Sequence, residues 1–582
     1  MAFQVSPGIN VTEVDLTTIV PSVATTVGGI AGFFESGPAN QVVLIDSPKT
    51  LRETFGEPRS WNYKQWFSAA NFLSYGRTLL VVRSVGSDAK NSKAGSSSTT
   101  FLPNPLAVTG GVQGVFCRFP GQKGDSLQIK VFGGTSESGF TSWNGTLNNL
   151  FGSAPESTDN LILAAGGNTT NDQIHIAVID EDGLFSGTKG TVLERFSNLS
   201  VWPQARLQDG SSIYYKSVIN NSSDYIVVGG DETPDSPIAD LTSQLGVTWG
   251  ITVSNTYKIN WGDNGGYNTS SLSFLGGAGQ TGSNGDLIQQ VPSSTPEGYN
   301  LFEDVENVNV SLLIGGDIGS RGETFVKYLR DIAEARKDCV AFVSAENTSD
   351  SGTEESKKDA CLTMKNWVGS SSYVVIDSGY KYQYDVYNDR FRWIPLNGDI
   401  AGLVARTDFT NDPWFSPAGL NRGQIRNSVK LAFNPTKTFR DVIYPKGVNP
   451  VISVPGEGTV LFGDRTALSK PSAFDRINVR RLFIVLEKAI SAASKYSLFE
   501  FNDSFTRQQF RSLVEPFLRD VKARRGIFDF KVVCDESNNS PDVIDRNEFV
   551  ADIYIKPTRT INFIQLNFIA TRTGVSFAEV GA

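Results

Sequence analysis

Hydrophobic positions along this chain recur with two periods, and the switches between them mark the elements. Over residues 475–493, Ile477, Leu482, Phe483, Leu486, Ala489, Ile490 and Ala493 fall at helical spacing, which predicts a helix with one buried face. A second helical pattern covers 505–525, with Phe510, Leu513, Val514, Phe517 and Val521 on one side. Pro516 lies inside it and predicts a kink or a break, because proline has no backbone donor. Strand-like runs follow at 527–534 and 549–555, separated by turn-forming residues 535–541, and Lys556-Pro557 should end the second. A last alternation then begins at once. Ile564, Leu566, Phe568 and Ala570 share one face, while Ile561 and Phe563 have the opposite parity, a one-residue slip such as a bulge makes. A terminal apolar strand beyond a proline either folds back on its own sheet or pairs with another subunit. The pattern alone leaves both open.

At the other end, Val5, Ile9, Val11 and Val14 form a short apolar pattern broken by Pro7-Gly8. Strands are predicted at 23–34 and 38–47, a short helix at 50–55, and an amphipathic helix at 63–75 carrying Trp66, Phe67, Ala70 and Leu73. That helix feeds a buried strand at 78–83, the opening of an α/β unit. The unit then stops. Residues 87–100 read as a linker rich in Ser, Thr, Gly and Lys. From 101 to 299 short strands alternate with turns, clearest at 127–132, 173–179, 225–228 and 247–259, and no long helix appears. This is a β-rich insertion of one or two subdomains.

Near 307 the α/β unit resumes, with strands at 308–314, 339–344 and 373–376 and helices at 323–336 and 355–368. Two successive β-α-β crossovers imply a parallel or mixed sheet with right-handed connections. Tyr380, Tyr382, Tyr384, Tyr387, Phe391 and Trp393 then predict an aromatic hairpin turning at Asn388-Asp389, suited to core packing or subunit contact more than to a sugar or base platform.

Parallel sheets hold ligands beyond the carboxyl ends of their strands, so an enzyme must be weighed. Gly315-Gly316-Asp317-Ile318-Gly319 lacks the spacing of a dinucleotide loop, and Asp317 and Asp377 have no evident partners. Gly277-Ala278-Gly279-Gln280-Thr281-Gly282-Ser283 lacks the lysine of a phosphate loop. His175 is the only histidine and reads as an exposed strand residue, which excludes sites needing two histidines. Cys117, Cys339, Cys361 and Cys534 are too scattered for a metal knuckle or a redox pair and should be buried thiols. No catalytic, cofactor or metal site is implied.

Composition narrows the class further. The 582 residues exceed what one core fills, and no apolar run approaches the ~20 residues of a membrane span. The start of the chain shows no secretory signal pattern. Net charge is −9, all of it in residues 86–300, which hold 10 Lys/Arg against 19 Asp/Glu; the rest balances. Without a basic tract, nucleic-acid binding is set aside.

The runs SAFDRINVRRLF (472–483), LFEFNDSFTRQQFRS (498–512), GIFDFKVVCDESNN (526–539), VIDRNEFVADIYIKP (543–557) and INFIQLNFIATRTGVSFAEV (561–580) resemble the C-terminal domain of contractile phage tail sheath proteins. The likeness is to the T-even-like branch. PLNGDIAGLVARTDFTNDPWFSPAGLNRG (395–423) resembles the family's core, and PGINVTEVD (7–15) its N-terminal arm.

The resemblance implies a structural subunit, not an enzyme. Its copies would form stacked hexameric rings around a tail tube, meet baseplate and neck or terminator proteins, and contract to drive the tube through the host envelope. Such a protein is assembled in the host cytoplasm and resides in the virion, without nucleic-acid binding or membrane insertion. The expected organisation is an N-terminal linking arm (1–22), a discontinuous α/β sheath core (23–86 and 301–470), the acidic β-rich insertion (87–300), an α+β C-terminal inner domain (471–557) and a linking strand (558–582). Val5, Ile9, Val11, Val14, Ile561, Phe563, Ile564, Leu566, Phe568 and Ala570 are the candidates for strand exchange between subunits. Arg507, Arg511, Lys522 and Arg525 fall within an arc of roughly 60° on a helix of ~100° per residue, a basic stripe for the tube or a neighbour. Two alternatives stand beside this reading: a doubly wound enzyme with a carbohydrate-binding insertion, and a surface-layer protein.

Overall fold

In the computed structural model, the structure describes residues 24–562 except 87, 96–99, 103–113, 135–136, 157, 159–167, 171, 202–204, 208, 230–247, 253–255, 261–266, 276–277, 279–297 and 319–321. The N-terminal pattern, the parity slip at Phe563, the terminal alternation, and the loop 277–283 apart from Ala278 all lie outside these residues. The chain forms two compact units: Ala24–Thr410 with Pro417–Lys470, and Asn411–Ser416 with the segment after Pro471.

The larger unit is built on a seven-stranded sheet ordered Val42–Ile45, Leu79–Ser84, Gly28–Phe33, Leu312–Ile314, Val340–Ser344, Val374–Asp377, Val448–Asn449. Only the edge strand Val42–Ile45 is antiparallel. Gly28–Phe33 pairs directly with Leu312–Ile314, Gly28 opposite Leu312, so the sheet continues across the intervening chain. Ala341, Val343, Val374 and Ile376 pack with Phe325, Leu329 and Ile332 of helix Gly322–Arg336 and with Cys361 and Met364 of helix Glu354–Val368. Alternate residues point to the other side. There helices Tyr63–Leu73 and Asn397–Thr410 cross with backbones touching: a Cβ added at Gly398 would lie 2.2 Å from Ser68 O. Burial on both faces explains why these strands read as continuous apolar runs.

Residues 93–275 contribute a second, wholly antiparallel sheet ordered Ile226–Gly229, Gly114–Cys117, Lys93–Ala94, Tyr267–Leu275, Leu127–Gly134, Gln173–Asp180, Thr191–Ser200. Its helices are short, Glu137–Gly145 and Tyr215–Ser222. The expected strand at 247–259 is a hairpin, Thr248–Thr252 against Thr256–Asn260. His175 corrects the expectation of an exposed residue: it is 2 % exposed. Gln173–Asp180 is buried on both faces. Ile174, Ile176 and Val178 face the cluster around Tyr215 and Ile219, whereas Ala177 and Ile179 face Phe140 and Trp143. The His175 ring stacks on Phe151, donates from Nε2 to Ser153 O (2.8 Å) and accepts at Nδ1 from Asn198 N (3.1 Å). Burial lowers its pKa and keeps it neutral, a packed ring with both nitrogens used. All four cysteines are buried and unbridged.

The aromatic hairpin forms as strands Tyr380–Asp385 and Arg390–Pro395, with Lys430–Leu431 as a third strand. Its polarity is inverted. Lys381, Gln383 and Asp385 point inward, and Tyr382, Tyr384, Phe391 and Trp393 stack on one another on the outer face.

In the smaller unit, helices Ile477–Ser494 and Ser504–Ala523 pack on the antiparallel pair Ile527–Val533 and Asp552–Pro557. Leu482, Leu486, Phe510, Val514, Leu518, Val521, Ile527 and Val532 form its core with Trp414. Of the expected kink or break at Pro516, the break does not occur: the second helix is continuous through it. The side chain of Pro516 is exposed, and the buried Val514 and Leu518 on either side hold the helix to the core. Residues 535–541 form a turn and enter a short helix, Pro541–Asp545.

Candidate functional site

The carboxyl ends of the parallel strands are where a ligand would bind in an enzyme of this topology. Here they are filled by the protein itself. After Leu312–Ile314 the backbone turns through Gly316 (φ +63°), and a Cβ there would lie 2.2 Å from Gln65 Oε1. That oxygen accepts from Asp317 N (2.9 Å), and Gln65 Nε2 donates to Ala31 O. Asn397 closes the other side, with Nδ2 donating to Gly316 O (2.8 Å) and Oδ1 accepting from Gly316 N (3.1 Å). Ser344 Oγ donates to Asp377 Oδ2 (2.9 Å), and Gly379 N donates to Asp377 Oδ1 (2.9 Å). Burial holds the Asp377 carboxyl well above the usual range.

Asp317 pairs with Lys64 Nζ at 3.2 Å and accepts from Tyr380 OH at 3.4 Å. Beside it, Glu346 keeps Oε1 buried without a hydrogen-bond partner. Burial first, then the Asp317 charge, raise its pKa to about 7, with Lys64 opposing. Among the described residues no group of three or more His, Cys, Asp or Glu is placed to hold a metal. Asp317 and Asp377 are acceptors in a network of the protein's own donors. The Ser344 hydroxyl beside Asp377 is buried and also accepts from Asn397 N (2.9 Å) and Nδ2 (3.1 Å), so it is a fastening.

The other candidates lie in the smaller unit. Arg507 turns inward, buried, with Nη1 donating to Asn502 Oδ1 at 2.9 Å. Arg511 is ion-paired with Glu515 one helical turn away, and Lys522 Nζ with Asp529 Oδ1 at 3.0 Å. Arg525 follows the helix in a left-handed conformation (φ 68°) and is exposed. The four do not form one continuous free stripe. Of the strand-exchange candidates, Val5, Ile9, Val11, Val14, Phe563, Ile564, Leu566, Phe568 and Ala570 lie outside the described residues; Ile561 is exposed beyond the end of strand Asp552–Pro557. That strand and Ile527–Val533 form a sheet of only two strands among the described residues. A group that periodicity did not single out is the exposed set Tyr496, Leu498, Phe499 and Phe501 between the two helices, with Phe505 in the first turn of the second. Its one signal in the sequence is density, four aromatics in ten residues.

Residues 306–467 match the phage tail sheath protein central domain and residues 469–571 the phage tail sheath C-terminal domain. The chain is 34% identical to the tail sheath protein of Enterobacteria phage T4, with 99% of each chain covered. The chain belongs to the phage tail sheath family. The tail sheath protein of Vibrio phage KVP40 is 32% identical, again over 99% of each chain. A sheath tail protein from Listeria innocua has a similar fold, with a TM-score of 0.50 at 11% identity over 93% of this chain and 97% of that one. Like its relatives, this sheath chain is a structural component of the virion and not an enzyme.

Proposed function

We propose that copies of this chain form stacked hexameric rings around a tail tube and contract to drive the tube through the host envelope. The rings are assembled in the host cytoplasm, and baseplate and neck or terminator proteins bound the array. The observation that carries this reading is the two-stranded sheet of the smaller unit. Among the described residues this sheet has two strands, steadied on one face by the two helices, and a sheet edge accepts further strands through main-chain hydrogen bonds. The segment that follows, Ile561 with Phe563, Ile564, Leu566, Phe568 and Ala570, is one such strand, and the N-terminal pattern of Val5, Ile9, Val11 and Val14 is another. Supplied by neighbouring subunits, they keep the array joined while the two units and the acidic insertion move as bodies. Lys522, Arg525 and Arg511 are exposed and suit a salt-sensitive contact with the tube or an adjacent subunit, with Arg507 supporting the helix from within.

Electron microscopy of the purified full-length protein tests the reading. Hollow cylinders of stacked six-membered rings are expected. Flat lattices would mean a surface layer, and particles that never polymerise, with or without tubes, would overturn it.

A further inference from the structure

The core of the smaller unit is completed by a short segment from the middle of the chain. Helix Asn397–Thr410 ends in the larger unit, Asn411–Ser416 belong to the smaller one, and the chain is back in the larger unit at Pro417. It crosses once more at Lys470–Pro471, within the exposed run Ser469-Lys470-Pro471-Ser472. A domain joined through one such polar, proline-containing linker moves relative to its neighbour by default. The detour through 411–416 gives the smaller unit a second attachment. Ordering that segment costs conformational entropy, which its contacts must offset.

Those contacts converge on Trp414, which packs in the core with Leu482, Val514 and Ile527. Its Nε1 donates to Arg524 O (3.1 Å), one of the carbonyls that the end of helix Ser504–Ala523 leaves without a partner of its own. Trp414 O accepts from Nδ2 of the buried Asn478 (3.2 Å) on helix Ile477–Ser494. A Cβ at Gly526 would lie 3.0 Å from Trp414 Cδ2, so the turn into strand Ile527–Val533 fits closely against the indole. Both helices and that turn therefore grip one side chain. Arg524 adds a catch on the outside: its guanidinium pairs with Asp412 and lies 5.2 Å from the centre of the Trp414 ring, where a cation is attracted to the indole face. Phe415 N closes a turn on Asp412 O (3.0 Å) and sets the segment's shape.

We propose that Asn411–Ser416 is a strap that restrains the smaller unit. With Trp414 seated, movement about the linker at 470–471 is limited to what the strap allows. With Trp414 unseated, the smaller unit is joined through that linker alone. The inference does not depend on the tail-sheath reading.

The test uses the full-length, unassembled subunit carrying Lys437→Cys on the larger unit and Arg546→Cys on the smaller, both exposed positions, with a spin label on each. The four native cysteines are buried, which leaves the added thiols to react. One chain keeps the native strap. A second carries about eight Gly/Ser residues on each side of 411–416, which lets Trp414 seat and makes the tether slack. A third carries Arg524→Gln, which keeps the strap's length and removes the catch. The native strap is expected to give a narrow distribution of label distances. Lengthening should broaden it about twofold or more with the melting temperature unchanged, because a slack tether no longer limits the span. Arg524→Gln should broaden it by less. If Trp414 only fills the core, lengthening leaves the distribution as it was. That result, or a native distribution as broad as that of the lengthened chain, would overturn the strap. Should the lengthened chain fail to fold, a distribution unmoved by Arg524→Gln would overturn it too.

Discussion

Lys381 Nζ lies 2.8 Å from Asp399 Oδ1, and both side chains are essentially inaccessible to solvent (0% and 1%). The lysine comes from the inner face of strand Tyr380–Asp385 and the aspartate from the first turn of helix Asn397–Thr410, so the pair fastens the aromatic-faced sheet to the helix beneath it. Lys381 Nζ also donates to Arg426 O (2.8 Å), and Asp399 accepts from Tyr75 OH (3.0 Å). Burial pushes Asp399 up and Lys381 down, each toward its neutral form, and each charge opposes the shift of the other.

Removing one member leaves a buried charge unpaired. Lys381→Met is expected to cost about 3–5 kcal/mol in chemical denaturation of the subunit. Lys381→Met combined with Asp399→Leu should cost less than Lys381→Met alone. Equal losses in the single and double variants would show that the pair does not act as a unit.

Glu346 gives the fold a pH dependence. Its folded pKa is raised from 4.5 to about 7 by burial and by Asp317, with Lys64 facing it as the compensating charge. The folded state therefore holds a proton that the unfolded chain releases, and stability falls as pH rises from about 4.5 to about 7. Glu346→Gln should melt above wild type at pH 8, and the gap should close near pH 4. A gap of the same size at both pH values would mean that ionisation is not the cause.

The acidic insertion is expected to be dispensable for polymerisation. Its larger apolar clusters, around Ile176 and around Phe132, are separate from the cluster that includes Leu313, Ala341 and Ile376, and only Ala89 packs with the core residues Ala39 and Val85 among the described clusters. Deleting 87–298 with a short linker removes the bond from Arg83 Nη2 to Pro120 O (2.7 Å) but leaves those to Phe34 O and Gly37 O. The loss should be near 1 kcal/mol, and the shortened chain should still form tubes. A folded deletion that cannot assemble would count against this.

Arg507 and the exposed cations should separate cleanly. Arg507→Ala removes a buried charge-assisted hydrogen bond and is expected to destabilise the subunit by about 2 kcal/mol. Lys522→Glu with Arg525→Glu should leave monomer stability within about 0.5 kcal/mol of wild type. The same pair of changes should weaken co-assembly with tubes, and wild-type co-assembly should decline with added salt. Co-assembly unaffected by either charge reversal or salt would remove the basic residues from that contact.

For the terminal strand, a chain ending at Pro557 should melt within a few degrees of full length and yet form no rings. On the proposed strand exchange, burying Leu566 and Phe568 should contribute roughly 1.5–3 kcal/mol each at the moment of assembly. Leu566→Asp should behave like the truncation. A large drop in monomer melting temperature would place the strand in its own subunit's sheet.

Sequence periodicity by itself determined the helices Tyr63–Leu73, Gly322–Arg336 and Glu354–Val368 and the buried strands between them, since one-sided or two-sided burial leaves a repeat that needs no partner to recognise. The family was legible by a different route, the resemblance of long runs near the C-terminus to tail sheath proteins. Strand Thr191–Ser200 left no such trace, because only its last two residues are fully buried. The path of the second helix through Pro516 depended on the core beneath Val514 and Leu518. His175 was decided by layers covering both faces of Gln173–Asp180, and Arg507 by Asn502 five residues before it. Lys381 and Asp399 are eighteen residues apart, and Gln65 fills a turn some 250 residues away. Periodicity reports which side of an element is covered. Only the tertiary structure decides what covers it, and that decides whether a polar side chain is a site or a fastening.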